Sequence, residues 1–485
     1  MAVTVTTSRG VLGGRPPTDD GVYAFLGVPY GEPPVLDRRF APPTPAAPWD
    51  GVRPAIEHGA ASPQALPGPG RPIVDLTVGA EGEDCLTLAI WTPALGRDDR
   101  LPVMVWIHGG AFVTGGAGVP AYDGTHLAAQ GVVVVNMNYR LGLAGWLRCP
   151  EIGASGNQGL ADQRAALQWV REEIMAFGGD PENITVFGES AGGASIAAHL
   201  TTEGDRPFRR AILQSGAHNL HKTVDEAESV NARVLAEVDG QAERLTTMPL
   251  DELMALQERA TPRLGGVFFG PVADGDLVAA EPAQTLAGGS GAGIDVIVGS
   301  NRDEMGFFWG RDERFDLIDD AFLAALAKRW AARPDEAIET YRRARTERGE
   351  PTDNRALAVA MGSDWTFRAP LTHIASWQTT HARAWSYRFD WSSPRHGGLV
   401  GAAHTLEIPF VFGTFAHPTT RDFVGGPLDQ AQALSAEMST AWVRFATSGD
   451  PGWAPSGPAR TTRLFDRDGS TTVDHPADAE LAVWS

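Results

Sequence analysis

Gly188-Glu189-Ser190-Ala191-Gly192 follows the apolar and β-branched run Ile184-Thr185-Val186-Phe187 and opens a stretch of small residues that ends at Leu200. The run in front reads as a buried strand and the stretch behind as a helix. A serine on a sharp turn between the two is held above the sheet edge. Glycine on either side keeps the turn free of side-chain clashes, and the helix start leaves backbone N–H groups pointing outward. Ser190 is thus a candidate nucleophile for acyl transfer. The alternative is an idle hydroxyl in a glycine-rich turn, because a chain with 56 glycines can hold this pentapeptide by chance. The rest of the sequence decides.

Working outward, residues 86–91, 103–108 and 132–139 read as strands, the last short and apolar enough for a buried parallel strand. Apolar residues at helical spacing run from Leu160 to Phe177, and Gly178-Gly179-Asp180-Pro181 stops them. Further strands are expected at 210–214, 294–299 and 384–389, with helical and irregular stretches at 223–260 and 317–345. Pro- and Gly-rich segments at 31–48 and 62–72 read as surface loops, as does the tail at 451–468. Strands alternating with helices predict an α/β fold: a large, mostly parallel central sheet with helices on both faces and long helical insertions.

Composition narrows the function classes. The chain has 485 residues, 43% of them hydrophobic, and a formal charge of −20 from 60 acidic and 40 basic residues. Such a surface repels phosphate backbones, so nucleic acid is not an expected partner. Two cysteines, Cys85 and Cys149, make no disulfide framework. Each reads as a small buried apolar residue, although one bridge between them stays open. The first ten residues lack a signal-peptide core, and no run reaches the roughly 18 apolar residues of a membrane span. A cytoplasmic protein with no membrane partner is expected, as a monomer or weak homo-oligomer.

A serine hydroxyl needs a base, an orienting carboxylate and donors aimed at the oxyanion. His108-Gly109-Gly110-Ala111-Phe112 follows the strand at 103–107, and its glycines let backbone N–H groups approach a substrate. Gly109 and Gly110, with the N–H of Ala191, are the expected oxyanion hole; His108 reads as a residue that shapes the loop. In sheets of this type the chain order is nucleophile, acid, histidine. Nine histidines follow Ser190. Among them His404, between Gly401-Ala402-Ala403 and the apolar run Ile408-Pro409-Phe410, suits a loop packed on the core. Asp303 and Glu304, just past the strand at 294–299, are both available as the acid.

Together these segments resemble the type B carboxylesterase/lipase family of the α/β-hydrolase superfamily, most of all its bacterial para-nitrobenzyl esterases. The resemblance rests on ordered blocks along nearly the whole chain. Besides those quoted, they include residues 25–31, Glu83-Asp84-Cys85-Leu86, Asn138-Tyr139-Arg140-Leu141-Gly142, Gly156-Asn157-Gln158-Gly159 and Gly449-Asp450-Pro451. It implies one α/β-hydrolase domain over residues 1–485, with Glu304 as the acid and His404 as the base. It also implies a structural, non-participating Glu189, a supporting Ser215 and a loop-organising Asp303. Two departures stand out. No cysteine precedes Cys85, so the bridge that secreted animal relatives form there is absent, and Ala111 takes the place of a third glycine.

The implied reaction is hydrolysis of a small-molecule ester through an acyl-enzyme on a Ser-His-Glu triad, with no metal or organic cofactor. Activity should fall as pH drops through the histidine range, near ~6.5 if unperturbed. Phe112, Phe268, Phe269, Phe307, Phe308 and Trp365 are candidate pocket residues that would favour neutral aryl or short-to-medium-chain esters. Competing expectations are a binding module on the same fold and an amidase or carbamate hydrolase using the same triad.

Overall fold

The computed structural model describes residues 3–64, 79–202, 204, 206–261, 269–309 and 317–484. Its centre is a ten-stranded sheet. In spatial order the strands are Thr471–Val473, Thr462–Phe465, Ala384–Phe389, Asp295–Asn301, Arg210–Gln214, Gly179–Glu189, Leu101–Ile107, Val133–Met137, Thr87–Thr92 and Tyr23–Pro29. The pairs from Thr462–Phe465 through to Val133–Met137 are parallel. The three pairs at the two ends are antiparallel.

The central strands carry apolar runs because both of their faces are covered. All five residues of Val133–Met137 and the last five of Leu101–Ile107 are buried. One face holds a core that includes Val105, Val186, Leu213 and Val298, covered by helices Gln158–Glu173 and Ala191–Thr201. The other holds Trp106, Phe187, Ile212 and Ile297 beneath helices Ile408–Phe412 and Leu428–Ser448. A third cluster, with Leu323, Tyr341, Leu357 and Met361, joins helices Asp320–Trp330, Pro334–Arg348 and Asn354–Ser363.

The expected helix at 160–177 is Gln158–Glu173 closed by a 3-10 turn, Ile174–Phe177, and the strand at 184–187 extends over Gly179–Glu189. The tail at 451–468 corrects the sequence reading. It carries the strand Thr462–Phe465, which pairs in parallel with Ala384–Phe389. Only four residues long, that strand was too short for its alternation to stand out between turn signals. Cys85 and Cys149 are free thiols, both buried. No helix among the described residues is long and apolar enough to cross a membrane.

Candidate active site

Ser190 sits between the strand Gly179–Glu189 and the helix Ala191–Thr201, with φ 55° and ψ −118°. A non-glycine residue there is strained, at a cost of roughly 1–3 kcal/mol, and persists only when its surroundings fix it. They do so here: the Ser190 N–H donates to the Gln214 carbonyl at 2.9 Å, and its carbonyl accepts from the Ala194 N–H at 2.9 Å. Gly192 lets the turn lie against the neighbouring strand, since a Cβ at that position would sit 1.9 Å from the Ile107 carbonyl oxygen.

Strand Leu101–Ile107 delivers the glycine loop to the same place. A Cβ on Gly109 would stand 2.7 Å from the Glu189 carbonyl oxygen and 3.1 Å from the Ser190 Cβ, and Gly110 has φ 109°. Among the described residues no acceptor takes the N–H of Gly109, Gly110 or Ala191. Ala111 follows at φ 54°, a left-handed conformation that a third glycine would adopt without strain. His108 shapes this loop. Its ring stacks on Tyr139 at 4.4 Å, its Nδ1 lies 2.8 Å from the Gly109 carbonyl, and its carbonyl accepts from Tyr139 Oη at 2.7 Å. Burial lowers its pKa to about 4, so this imidazole is neutral.

The acid and base loops are stitched together. Asp303 N–H donates to the Ala402 carbonyl at 2.9 Å, and the Ala402 N–H returns to Asp303 Oδ2 at 3.0 Å. The Asn301 side chain donates to the Ala403 carbonyl and to Glu407 Oε2, both at 2.6 Å. His404 Nδ1–H donates to Glu304 Oε2 at 2.6 Å. The other oxygen of Glu304 accepts from Ser215 Oγ at 2.6 Å and from the Asn301 N–H at 2.7 Å. With both its oxygens engaged and Glu304 fully buried, the carboxylate fixes the imidazole in one orientation.

The other imidazole nitrogen faces the serine turn. His404 Nε2 is 3.1 Å from Glu189 Oε1, on the residue that precedes Ser190. That contact is not aligned as a hydrogen bond, and Glu189 Oε1 has no hydrogen-bond partner among the described residues. No hydrogen bond joins Ser190 Oγ to His404 among them either. The resemblance implies a structural Glu189 beside the nucleophile; the structure puts its buried carboxylate against the imidazole as well.

Three buried carboxylates, Glu189, Glu304 and Glu407, thus surround one histidine. Burial, reinforced by Glu407 and Glu304 and opposed by His404, pushes the Glu189 carboxyl well above its ordinary range. Burial and Glu304 likewise raise Glu407. Burial alone would lower the pKa of His404, but Glu189 and Glu304 outweigh it and lift it to about 9. This imidazole is therefore not the unperturbed group for which ~6.5 would hold.

The aromatic candidates separate. Phe307 and Phe308 lie 5.9 and 5.2 Å from the His404 ring. Phe367, which sequence reasoning missed, is closer at 4.7 Å and stacks on Phe308. Phe112 is instead core, buried edge-on against Trp146 at 4.7 Å. Phe269 is buried in the same core, and Trp365 stacks on Trp330 with 40% of its surface exposed. Phe268 lies outside the described residues. Asn301 and Glu407 were also missed, although each stands three residues from Glu304 or His404. No group of three or more His, Cys, Asp or Glu side chains among the described residues is arranged to hold a metal ion.

The chain as a whole matches a known family over almost its full length. The model of the carboxylesterase family covers residues 2–464. The chain belongs to the carboxylesterase family. This carboxylesterase is 36% identical to the para-nitrobenzyl esterase of Bacillus subtilis, over 98% of this chain and 97% of that protein. It is 34% identical to the phenmedipham hydrolase of Pseudarthrobacter oxydans, over 92% and 90%. The crystal structure of the Geobacillus stearothermophilus carboxylesterase at pH 6.2 superposes with a TM-score of 0.88 at 34% identity, covering 99% of this chain and all of that one. A para-nitrobenzyl esterase structure superposes at 0.87 with 33% identity, covering both chains in full. The α/β-hydrolase fold and the carboxylesterase activity expected from the sequence therefore hold.

Proposed function

We propose that this carboxylesterase hydrolyses neutral aryl or short-to-medium-chain esters through an acyl-enzyme on Ser190. His404 takes the serine proton as the hydroxyl attacks the ester carbonyl. Glu304 holds the imidazole through Nδ1 and stabilises the imidazolium. The N–H groups of Gly109, Gly110 and Ala191 receive the developing oxyanion. His404 then protonates the departing alcohol, and water repeats the cycle on the acyl-enzyme to release the acid.

The observation that carries this reading is the 2.6 Å contact between His404 Nδ1 and Glu304 Oε2, with Nε2 turned to the serine elbow. Preference for neutral substrates is supported by the Phe307, Phe308 and Phe367 rings beside the base. A para-nitrophenyl ester series of increasing acyl length, set beside an anionic succinyl ester, tests the reading. Neutral esters should turn over at least roughly tenfold faster than the anionic one. Equal rates would overturn the substrate class, and unimpaired turnover by His404→Ala would overturn the mechanism.

A further inference from the structure

We propose that a second cavity, away from the catalytic side chains, binds a small organic carboxylate. It measures about 270 Å³ and is walled by the helix Ala369–Gln378, the strands Asp295–Asn301 and Ala384–Phe389, and the loop that leads into Thr462–Phe465. Ser190, Glu304 and His404 are not among its lining residues.

Its chemistry is one-sided. The polar side chains of the wall include three guanidiniums, Arg368, Arg388 and Arg460, and a set of hydroxyls that includes Ser300, Ser386 and Ser456. No carboxylate, amide or imidazole joins them among the described residues. Guanidinium N–H groups can only donate. Ser386 and Ser456 already bond to each other and Ser456 to the Thr461 carbonyl, so the free donors on the wall include those of Arg368 and Ser300, and they call for a ligand that accepts. Each arginine is anchored by a carboxylate outside the lining: Arg368 by Asp364, Arg388 by Asp390 and Arg460 by Asp478. Those pairs hold the forks in place and leave donors unused. The Arg368 Nε–H has no hydrogen-bond partner, and neither has the hydroxyl of Ser300, a residue only 1% exposed. A buried donor without an acceptor costs about 1–3 kcal/mol, which a bound carboxylate would recover.

Apolar wall residues, among them Val298, Leu371 and Leu481, select an organic anion over a bare inorganic one. The volume suits a ligand of benzoate or hexanoate size, at the small end of ligand pockets. This is also the class of acid that the proposed reaction releases. That link rests on the proposed function; the binding itself does not. Two of its lining residues are sequence neighbours of residues at the catalytic site. Ser300 precedes Asn301, which donates to Glu304, and Arg368 follows Phe367, whose ring lies 4.7 Å from His404.

Calorimetric titration of benzoate into the full-length protein, with Ser190 first blocked by a phosphonate, tests the proposal. One saturable site is expected, weakened roughly tenfold in Arg460→Gln and in Ser300→Ala. Neutral benzamide should bind at least roughly tenfold more weakly than benzoate. Absence of saturable benzoate binding, equal binding by the wild type and Arg460→Gln, or benzamide equal to benzoate would overturn it, as would inorganic phosphate binding tighter than benzoate. Arg460 is partly exposed, so its variant should fold and keeps the test decisive if Ser300→Ala does not. Failure of the phosphonate to label Ser190 would count against the esterase mechanism. The comparison of unblocked wild type with Arg460→Gln would still judge the cavity.

Discussion

Replacing Glu189 by glutamine removes a buried charge from beside the base while keeping its shape. In the wild type, Glu189 Oε1 lies 3.1 Å from His404 Nε2, and both side chains are nearly inaccessible. At that separation and an effective dielectric of 20, a full charge pair is worth about 5 kcal/mol, or roughly 4 pKa units. Glu189 is itself driven towards its neutral form by burial and by its two carboxylate neighbours, so only part of that attraction acts. A shift of roughly 1–3 units is expected. The sign is fixed: losing the anion leaves burial to lower the base, and the acidic limb of kcat/KM against pH should move down from the alkaline side of 6.5. The assay is that limb, measured with a neutral para-nitrophenyl ester in the wild type and Glu189→Gln. The shape of the profile is the readout, so a change in maximal rate does not interfere. A limb that stays within about 0.3 unit of the wild type, or moves upward, would refute the reasoning.

Four further outcomes follow. Ser215→Ala strips one of two donors from Glu304 Oε1 and should lower kcat roughly tenfold with KM nearly unchanged, which steady-state kinetics will decide. Asn301→Ala takes the side-chain donor from Glu407 Oε2 and leaves the Ala403 carbonyl only the Leu406 N–H, and should cost about 1–3 kcal/mol in urea unfolding. Gly192→Ala drives a methyl to 1.9 Å from the Ile107 carbonyl oxygen and should cost more than about 3 kcal/mol or abolish folding, visible by circular dichroism. His404 has a folded pKa raised to about 9, so its stabilising contribution is full below pH ~6.5 and is lost as pH rises towards 9. Melting curves across that range should show the loss, and Glu189→Gln should flatten it.

What was legible in the sequence was local. The elbow could be read because a strand, a Gly-x-Ser-x-Gly turn and a run of small residues are contiguous, and the clash that Gly192 avoids is with an adjacent strand. The glycine loop at 109–110 was readable for the same reason. Glu304 and His404 lie 100 positions apart, and no periodicity reports that their loops will be stitched by Asp303 and Asn301; only the family resemblance chose between Asp303 and Glu304. Phe367 was illegible because it belongs to a single π-helical turn, Asp364–Arg368, inside a long helical insertion. Phe112 is open to two readings from sequence because an aromatic beside an oxyanion loop can face either way, and here the left-handed backbone, φ 64°, accompanies a ring packed on Trp146. The part played by Glu189 depends on where a distant loop places one imidazole nitrogen.

Mass-spectrometric mapping of the protein after a fluorophosphonate reaction tests the nucleophile most directly. A single adduct is expected on the peptide that contains Ser190, appearing in step with loss of ester hydrolysis and absent from Ser190→Ala. An adduct on another residue that tracks the loss, with Ser190 unmodified, would contradict the account.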